Sequence, residues 1–398
     1  MIKNIYNLLG FHPPKNIIYT KEILEEAKKL FAELPMKYLK ARPILIEQKI
    51  FEEAYAISTA EDSELTEEEA KSFPQKEEDT FSIRDFLMFI SEGSSSKAKY
   101  EALEYFNIEN VEKKMGKVSF SEVSQKLLCD LHYDLCAGLD DFSKELGVAK
   151  YHAGTFRRSN SVKVGKFPPY IPPKSKEIPK LLDALFLEFS QKKDISLSDI
   201  IEFHFLLYAT HPFQNGNKRV CRILESLMIE SYGFSAEGTL SLSVYYKKKK
   251  SGFHSLLIQS LQRKNPESFV NFALRGYFYA GKHILNNCIS IFQETFSRNY
   301  TNLLLGILGQ EAKDKRYADA LRTILELHCS FSHTEFMTKM NEFGYSKGQS
   351  QQIIAFLKAN EILQQAEKKY FIPGALEINE YALRINKFFL KNGIHTEE

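Results

Sequence analysis

Two apolar stretches at helical spacing, Ile200-Ile-Glu-Phe-His-Phe-Leu-Leu-Tyr-Ala-Thr210 and Val220-Cys-Arg-Ile-Leu-Glu-Ser-Leu-Met-Ile-Glu230, are interrupted by His211-Pro-Phe-Gln-Asn-Gly-Asn-Lys-Arg219. That interruption constrains the fold more than any other feature. Pro212 cannot continue a helix and Gly216 admits backbone that other residues avoid, so one helix must stop, turn within a few residues and hand over to the next. If Gly216 opens the second helix, the first N–H groups around Gly216, Asn217 and Lys218 face outward at its positive end. Arg219 and Arg222, three residues apart, then share one face. Such a geometry holds polyphosphate. His211 precedes this nest, and its imidazole, with an unperturbed pKa near neutrality, can take the proton of a hydroxyl that attacks phosphorus. The local chemistry reads as transfer from a nucleotide.

Helical periodicity dominates most of the remaining chain. Lys21 to Leu34 is amphipathic and ends at Pro35, and Phe120 to Gly138 starts near the caps Ser119 or Ser121 and stops near Gly138. His132, on that second pattern, is expected to pack or to bond a carbonyl. Alternation at Val162, Lys163 and Val164, followed by Pro168-Pro-Tyr-Ile-Pro-Pro173, reads as a short hairpin strand whose edge the prolines keep from extending. Glu61 to Lys76 and Ser91 to Lys97 are polar linkers. The run Lys247 to Lys250 reads as a solvated helix face, with attraction for nucleotide or an acidic target as the alternative.

Composition bounds the rest. A chain of 398 residues, 43% hydrophobic and 26% charged with net charge +2, has the balance of soluble globular domains. No apolar run reaches the length of a membrane helix, and Met1 to Pro14 lack a secretory h-region. The expectation is cytoplasmic residence with no membrane partner; export into a host cell as a bacterial effector is the alternative. The five cysteines, Cys129, Cys136, Cys221, Cys288 and Cys329, form no Cys-x-x-Cys pair and are odd in number. They are expected to be reduced core residues.

The string from His211 to Arg222 resembles the signature of the Fic/Doc (Fido) family, His-x-Phe-x-Asp/Glu-Gly-Asn-Gly/Lys-Arg-x-x-Arg. The resemblance implies a mostly α fold, a Fido helical core with a β-hairpin flap. It implies transfer of AMP from the co-substrate ATP to a Ser, Thr or Tyr hydroxyl of a target protein, with Mg²⁺ bridging the phosphates. His211 is then the base, Phe213 the loop anchor, and Gly216, Asn217, Lys218, Arg219 and Arg222 the nucleotide-binding set. Asn215 stands where an Asp or Glu usually binds Mg²⁺, and a neutral amide is a weaker ligand for a hard cation. Lys218 is the residue that Doc-like members often carry where adenylylating members have Gly. Gly154-Thr-Phe-Arg157 and the following hairpin resemble the family's flap region, placing Val162, Lys163, Val164 and Gly165 over the nucleotide and aligning a target peptide by strand addition. Phe253 and His254 occupy the place of a Tyr-Tyr pair near the adenine. Glu61 aligns with a restraining glutamate that would pair with Arg222, although Ile57 and Asp62 depart from that motif, and Ser58 with Asp62 offers the same spacing with a shorter acid.

Beyond about residue 295 that resemblance ends. Tyr317 to His328, Thr334 to Asn341, Ser350 to Asn360 and Leu363 to Pro373 read as helix, helix-turn-helix and a two-strand wing, similar to a winged helix. Exposed Lys347, Gln349, Gln351 and Gln352 would meet DNA, or the same domain would serve dimerisation or a protein partner. The expected organisation is an N-terminal helical segment with an inhibitory helix (1–90), a catalytic domain (91–295) and the winged-helix-like domain (296–398). Three functions remain open on the sequence: the adenylyltransferase, a Doc-like protein kinase that binds the nucleotide reversed, and a weakly active scaffold acting through its winged helix.

Overall fold

The computed structural model describes residues 4–33, 42–59, 63–73, 94–165, 168–235, 238–308 and 315–396, with Ile83, Phe86, Met88 and Ile90. Glu61 and Asp62 lie outside them. Contacts divide the chain into two compact units, Met1–Glu33 with Ile46–Gly281, and Leu34–Leu45 with Lys282–Glu398. In chain order the helices are α1 (Ile5–Leu9), α2 (Lys21–Ala32), α3 (Arg42–Ser58), α4 (Glu67–Ser72), α5 (Ser96–Lys114), α6 (Gln125–Cys136) and α7 (Ser143–Leu146). They continue with α8 (Ile178–Ser190), α9 (Leu197–Thr210), α10 (Asn217–Ser231), α11 (Leu242–Lys248), α12 (Lys250–Arg263) and α13 (Glu267–Leu308).

At the centre of the first unit lies α9. Its Ile200, Ile201, Phe205, Leu206 and Leu207 are wholly buried, as expected for a helix apolar on every side. Ser196 caps it reciprocally with Asp199, whose carboxylate accepts the Ser196 N–H at 2.8 Å. It ends where Pro212 requires, on His211 in the left-handed region (φ 49°, ψ 61°). The next helix, α10, starts after Gly216 (φ 78°) and packs its Val220, Ile223, Leu224 and Met228 into the same core. So the break expected at Pro212 and Gly216 is present, with helices on both sides.

Four boundaries differ from the sequence reading. Phe120, buried in a cluster with Phe189, Phe203 and Tyr232, sits in a turn, and α6 begins only at Gln125 with Ser124 as its cap. Ser119 and Ser121 bond each other instead of capping that helix. The linker 61–76 contains α4, closed by a Thr66–Glu69 capping box, and the linker at 91–97 ends on Ser95, the cap of α5. The expected flap strand shrinks to one antiparallel bridge, Val164 with Tyr170. Pro168, Pro169, Pro172 and Pro173 supply no N–H, so a longer ladder has no donors.

In the second unit, the later part of α13, α14 (Lys315–Glu326), α15 (His333–Glu342) and α16 (Lys347–Ala359) close around Phe296, Tyr300, Ile324, Phe336, Met340 and Leu357. Three short strands, β1 (Ser330–Ser332), β2 (Gln364–Ala366) and β3 (Lys369–Phe371), form an antiparallel sheet of order β1-β3-β2. Phe331 faces Tyr370 and Gln365 faces Tyr370 across the two ladders. The chain then closes with α17 (Ala375–Lys391). Strand β1 was not foreseen: it is short, and its partner β3 lies some forty residues on, so no local pattern announces it. Lys347, Gln349, Gln351 and Gln352 are exposed on the first turns of α16. Among the described residues no helix is long and apolar enough to cross a membrane.

Candidate active site

The loop between α9 and α10 is clamped from both sides. Behind it, Arg157 donates its backbone N–H to the Pro212 carbonyl (2.9 Å) and Nε to the His211 carbonyl (2.7 Å). Its remaining nitrogens reach the carbonyls of Ser159 (2.8 Å) and Pro173 (2.5 Å), so one guanidinium ties the His211 loop to both arms of the flap. In front, the Asn217 side chain accepts the Phe213 N–H and donates to the Phe213 carbonyl, both at 2.9 Å. Phe213 is fully buried and stacks on His132, ring centroids 3.8 Å apart. His132 accepts the Gly154 N–H at Nδ1 (3.0 Å), which leaves its proton on Nε2, 3.1 Å from the Asn215 carbonyl. It thus bonds a carbonyl, as its place in α6 suggested. Gly216 cannot be another residue cheaply: besides its positive φ, a Cβ there would lie 3.0 Å from Cys136 Sγ.

The two arginines have different surroundings. Arg222, 2% exposed, donates to Ser243 Oγ (3.1 Å), to the Ser243 carbonyl (3.0 Å) and to the Ala56 carbonyl in the last turn of α3 (3.3 Å). Burial lowers its pKa to about 10, with Glu53 partly offsetting that. Arg219 forms a buried ion pair with Glu104 of α5 and donates to the Tyr151 hydroxyl at 3.0 Å. Burial alone would depress its pKa, yet the Glu104 carboxylate more than reverses this. The lysine run is only partly a solvated face: Lys247 stands over the Tyr55 ring, 3.1 Å from its centroid, and Lys250 reaches the Thr59 carbonyl at 3.4 Å. Three cations therefore gather where α3 ends, and a helix C-terminus attracts positive charge.

One cavity of about 660 Å³ unites the loop, the flap and these helix ends. His211, Asn215, Gly216, Asn217, Lys218, Arg219 and Arg222 line it with Val162, Lys163, Val164 and Gly165, and so do Ile57 and Ser58 of α3. Phe253 and His254 do not line it. The Phe253 ring, 2% exposed, stacks on Tyr246 inside the core, so it offers no free face for a purine. Flap position is set by Gly165, whose Cβ would meet Ile258 of α12 at 2.8 Å, and by Tyr170, which donates its hydroxyl to the Ala209 carbonyl at 2.9 Å.

Within the cavity His211 is 8% exposed. Burial, then the charges of Arg157 and Lys218, push its pKa down to about 3, while the Tyr208 carbonyl offsets only part of this. The imidazole is neutral at physiological pH and able to accept a proton. A resident divalent cation finds a poor donor set here. The Asn215 Oδ1 already accepts the Gly216 N–H at 2.8 Å. Among the described residues no three His, Cys, Asp or Glu side chains gather as metal ligands.

Sequence reasoning missed Glu104, Tyr151 and Ser243, and it gave Arg157 no role at the loop. For Arg157 the Gly154-Thr-Phe-Arg157 element was a usable signal. The other three come from distant helices and loops that carry no pattern pointing to Arg219 or Arg222.

Residues 122–229 match the family model described as Fic/DOC family. Among solved structures, a Fic family protein from Desulfovibrio desulfuricans G20 aligns with TM-score 0.54 at 15% identity, covering 92% of this chain and 99% of that one. Fic-1 from C. elegans aligns with TM-score 0.48 at 16% identity, covering 67% and 72%. No curated protein matches the chain. The His211 loop, the start of α10 and the flap bridge all fall inside the matched residues, and the chain thus carries a Fic/DOC family domain.

Proposed function

We propose that this cavity binds ATP and transfers its AMP group to a hydroxyl of a target protein, as Fic/DOC members commonly do. The observation that carries this reading is His211, whose buried Nδ1 has no hydrogen-bond partner among the described residues, lining the same cavity as the positive end of α10 and Arg222. In the step, the acceptor oxygen bonds to the α-phosphorus and its proton passes to the His211 imidazole. The bond to the leaving pyrophosphate breaks, and the N-terminus of α10 stabilises the charge on the phosphoryl oxygens. The flap, anchored by Arg157 and Tyr170, offers the edge at Val162 to Val164 for a target segment. Regulation follows from α3: in its final turn the Ala56 carbonyl accepts a hydrogen bond from Arg222, so this arginine is engaged before a terminal phosphate arrives. Glu61, just beyond that turn, is the acid we assign to the same restraint. The second unit, with the exposed first turns of α16 and a β-hairpin, serves as a winged-helix-like module for a DNA or protein partner.

Intact-mass spectrometry after incubation with ATP and a candidate target tests the reaction. An AMP adduct that disappears in His211→Ala supports it. A phosphate adduct instead would establish the kinase reading that Lys218 favours, and no adduct on any target would leave the scaffold reading.

A further inference from the structure

A bound polyphosphate brings several negative charges that its site must balance, and a divalent cation usually supplies part of that balance. Among the described residues lining this cavity, the carboxylates that could hold such an ion, Glu101 and Glu104, are already committed. Residue 215 is an amide whose oxygen is turned back onto the Gly216 N–H at 2.8 Å. Glu104 neutralises Arg219; drawing it away to serve an ion would leave a buried guanidinium without counter-charge next to a dication. Glu101 accepts the N–H groups of Glu64 (2.8 Å) and Leu65 (3.0 Å), holding the chain beyond α3. The loop presents a cation of its own instead. Lys218 follows Asn217 at the start of α10, a helix end without a side-chain cap, and its charge is felt at His211. An ammonium there repels a metal ion and attracts phosphate.

We propose, resting on the nucleotide reading above, that the cavity binds its polyphosphate without a divalent cation, Lys218 and the N-terminus of α10 supplying the positive charge at the phosphates.

Isothermal titration of the full chain with ADP, once in Mg²⁺ and once in EDTA, tests this directly. The dissociation constants should agree within about twofold, and Lys218→Ala should weaken ADP about tenfold in EDTA, the loss of one charge-assisted contact. Lys218→Arg should retain most of the affinity, which separates lost charge from a damaged fold. Asn215→Asp should make ADP affinity rise on adding Mg²⁺, because an anionic ligand then stands where the amide was. Binding that requires Mg²⁺ in the native chain overturns the metal-free inference and leaves the nucleotide reading intact. A Lys218→Ala variant that binds ADP in EDTA as well as the native chain overturns the part assigned to Lys218. Absence of ADP binding in both buffers overturns both.

Discussion

Burial, and then the charges of Arg157 and Lys218, weaken the hold of His211 on a proton. The sign is that of a depressed base: its neutral form persists until pH falls towards about 3, whereas in the unfolded chain protonation begins near 6.5. Its contribution to stability is therefore complete above about pH 6.5 and is lost as pH falls towards the folded value. Transfer rates should accordingly show no acidic limb from this group between pH 7 and about 5, and a limb centred near 6.5 would contradict the burial argument. His211→Ala should cost at least about a hundredfold in transfer while ADP affinity changes by less than about threefold. Equal loss of both would mean that the imidazole binds nucleotide rather than moving a proton. At Arg219 the partner decides the outcome. With Glu104 side-chain exposure at 7%, Glu104→Gln leaves a guanidinium with little water to replace its counter-charge. Thermal denaturation should show a loss of about 3 kcal/mol or more, and a loss under about 1 kcal/mol would place the pair in effective contact with solvent.

The element that most needs explanation is α3, which carries a buried charge cluster at its middle and meets Arg222 at its end. Lys49 lies 2.5 Å from both Glu53 and Glu112, and Glu53 also accepts the Ser226 hydroxyl at 2.8 Å. One ammonium cannot neutralise two carboxylates, so burial and the charge of Glu53 push the Glu112 carboxyl up despite Lys49. A raised folded pKa means that this stability is fully present below the unfolded carboxylate value of about 4.3 and is lost as pH rises through the folded value. Urea unfolding from pH 5 to 9 should show that decline, and Glu112→Gln should flatten it; an unchanged slope would assign the pH dependence elsewhere. Lys49→Met should destabilise by about 3 kcal/mol, more at high pH, because two buried carboxyls then face each other. In the segment that follows α3 in sequence, Glu61→Gly should raise autolabelling with ATP by about tenfold if this acid restrains Arg222 as proposed. Asp62→Gly belongs beside it. If neither raises labelling while Arg222→Ala lowers it, the arginine serves transfer with no restraint from this segment.

For the molecule as a whole, the second unit has a core drawn from its own residues, Phe296 through Ala375, with the sheet, the later part of α13, α14, α15 and α16 closing on it. A fragment of residues 282–398 should therefore unfold cooperatively in circular dichroism; a gradual, featureless melt would show that this core depends on the first unit. Much of the architecture was readable beforehand because it rests on local rules. Helical spacing placed α2, α9, α10 and α16, Pro212 and Gly216 placed the loop, and Pro168 to Pro173 announced that the flap edge would stay short. His211, Asn217 and Arg222 stood out because their spacing is set along a single turn and helix. What the sequence could not determine is how their charges are balanced. Glu104 on Arg219, Ser243 and the Ala56 carbonyl on Arg222, and Arg157 behind His211 are separated from their partners by between 21 and 166 positions. Phe253 stands where the family resemblance puts a ring near the adenine, but packing turns its ring onto Tyr246. Backbone breaks obey constraints within a few residues, whereas the partner of a buried charge is chosen by whichever distant helix lies near enough to neutralise it.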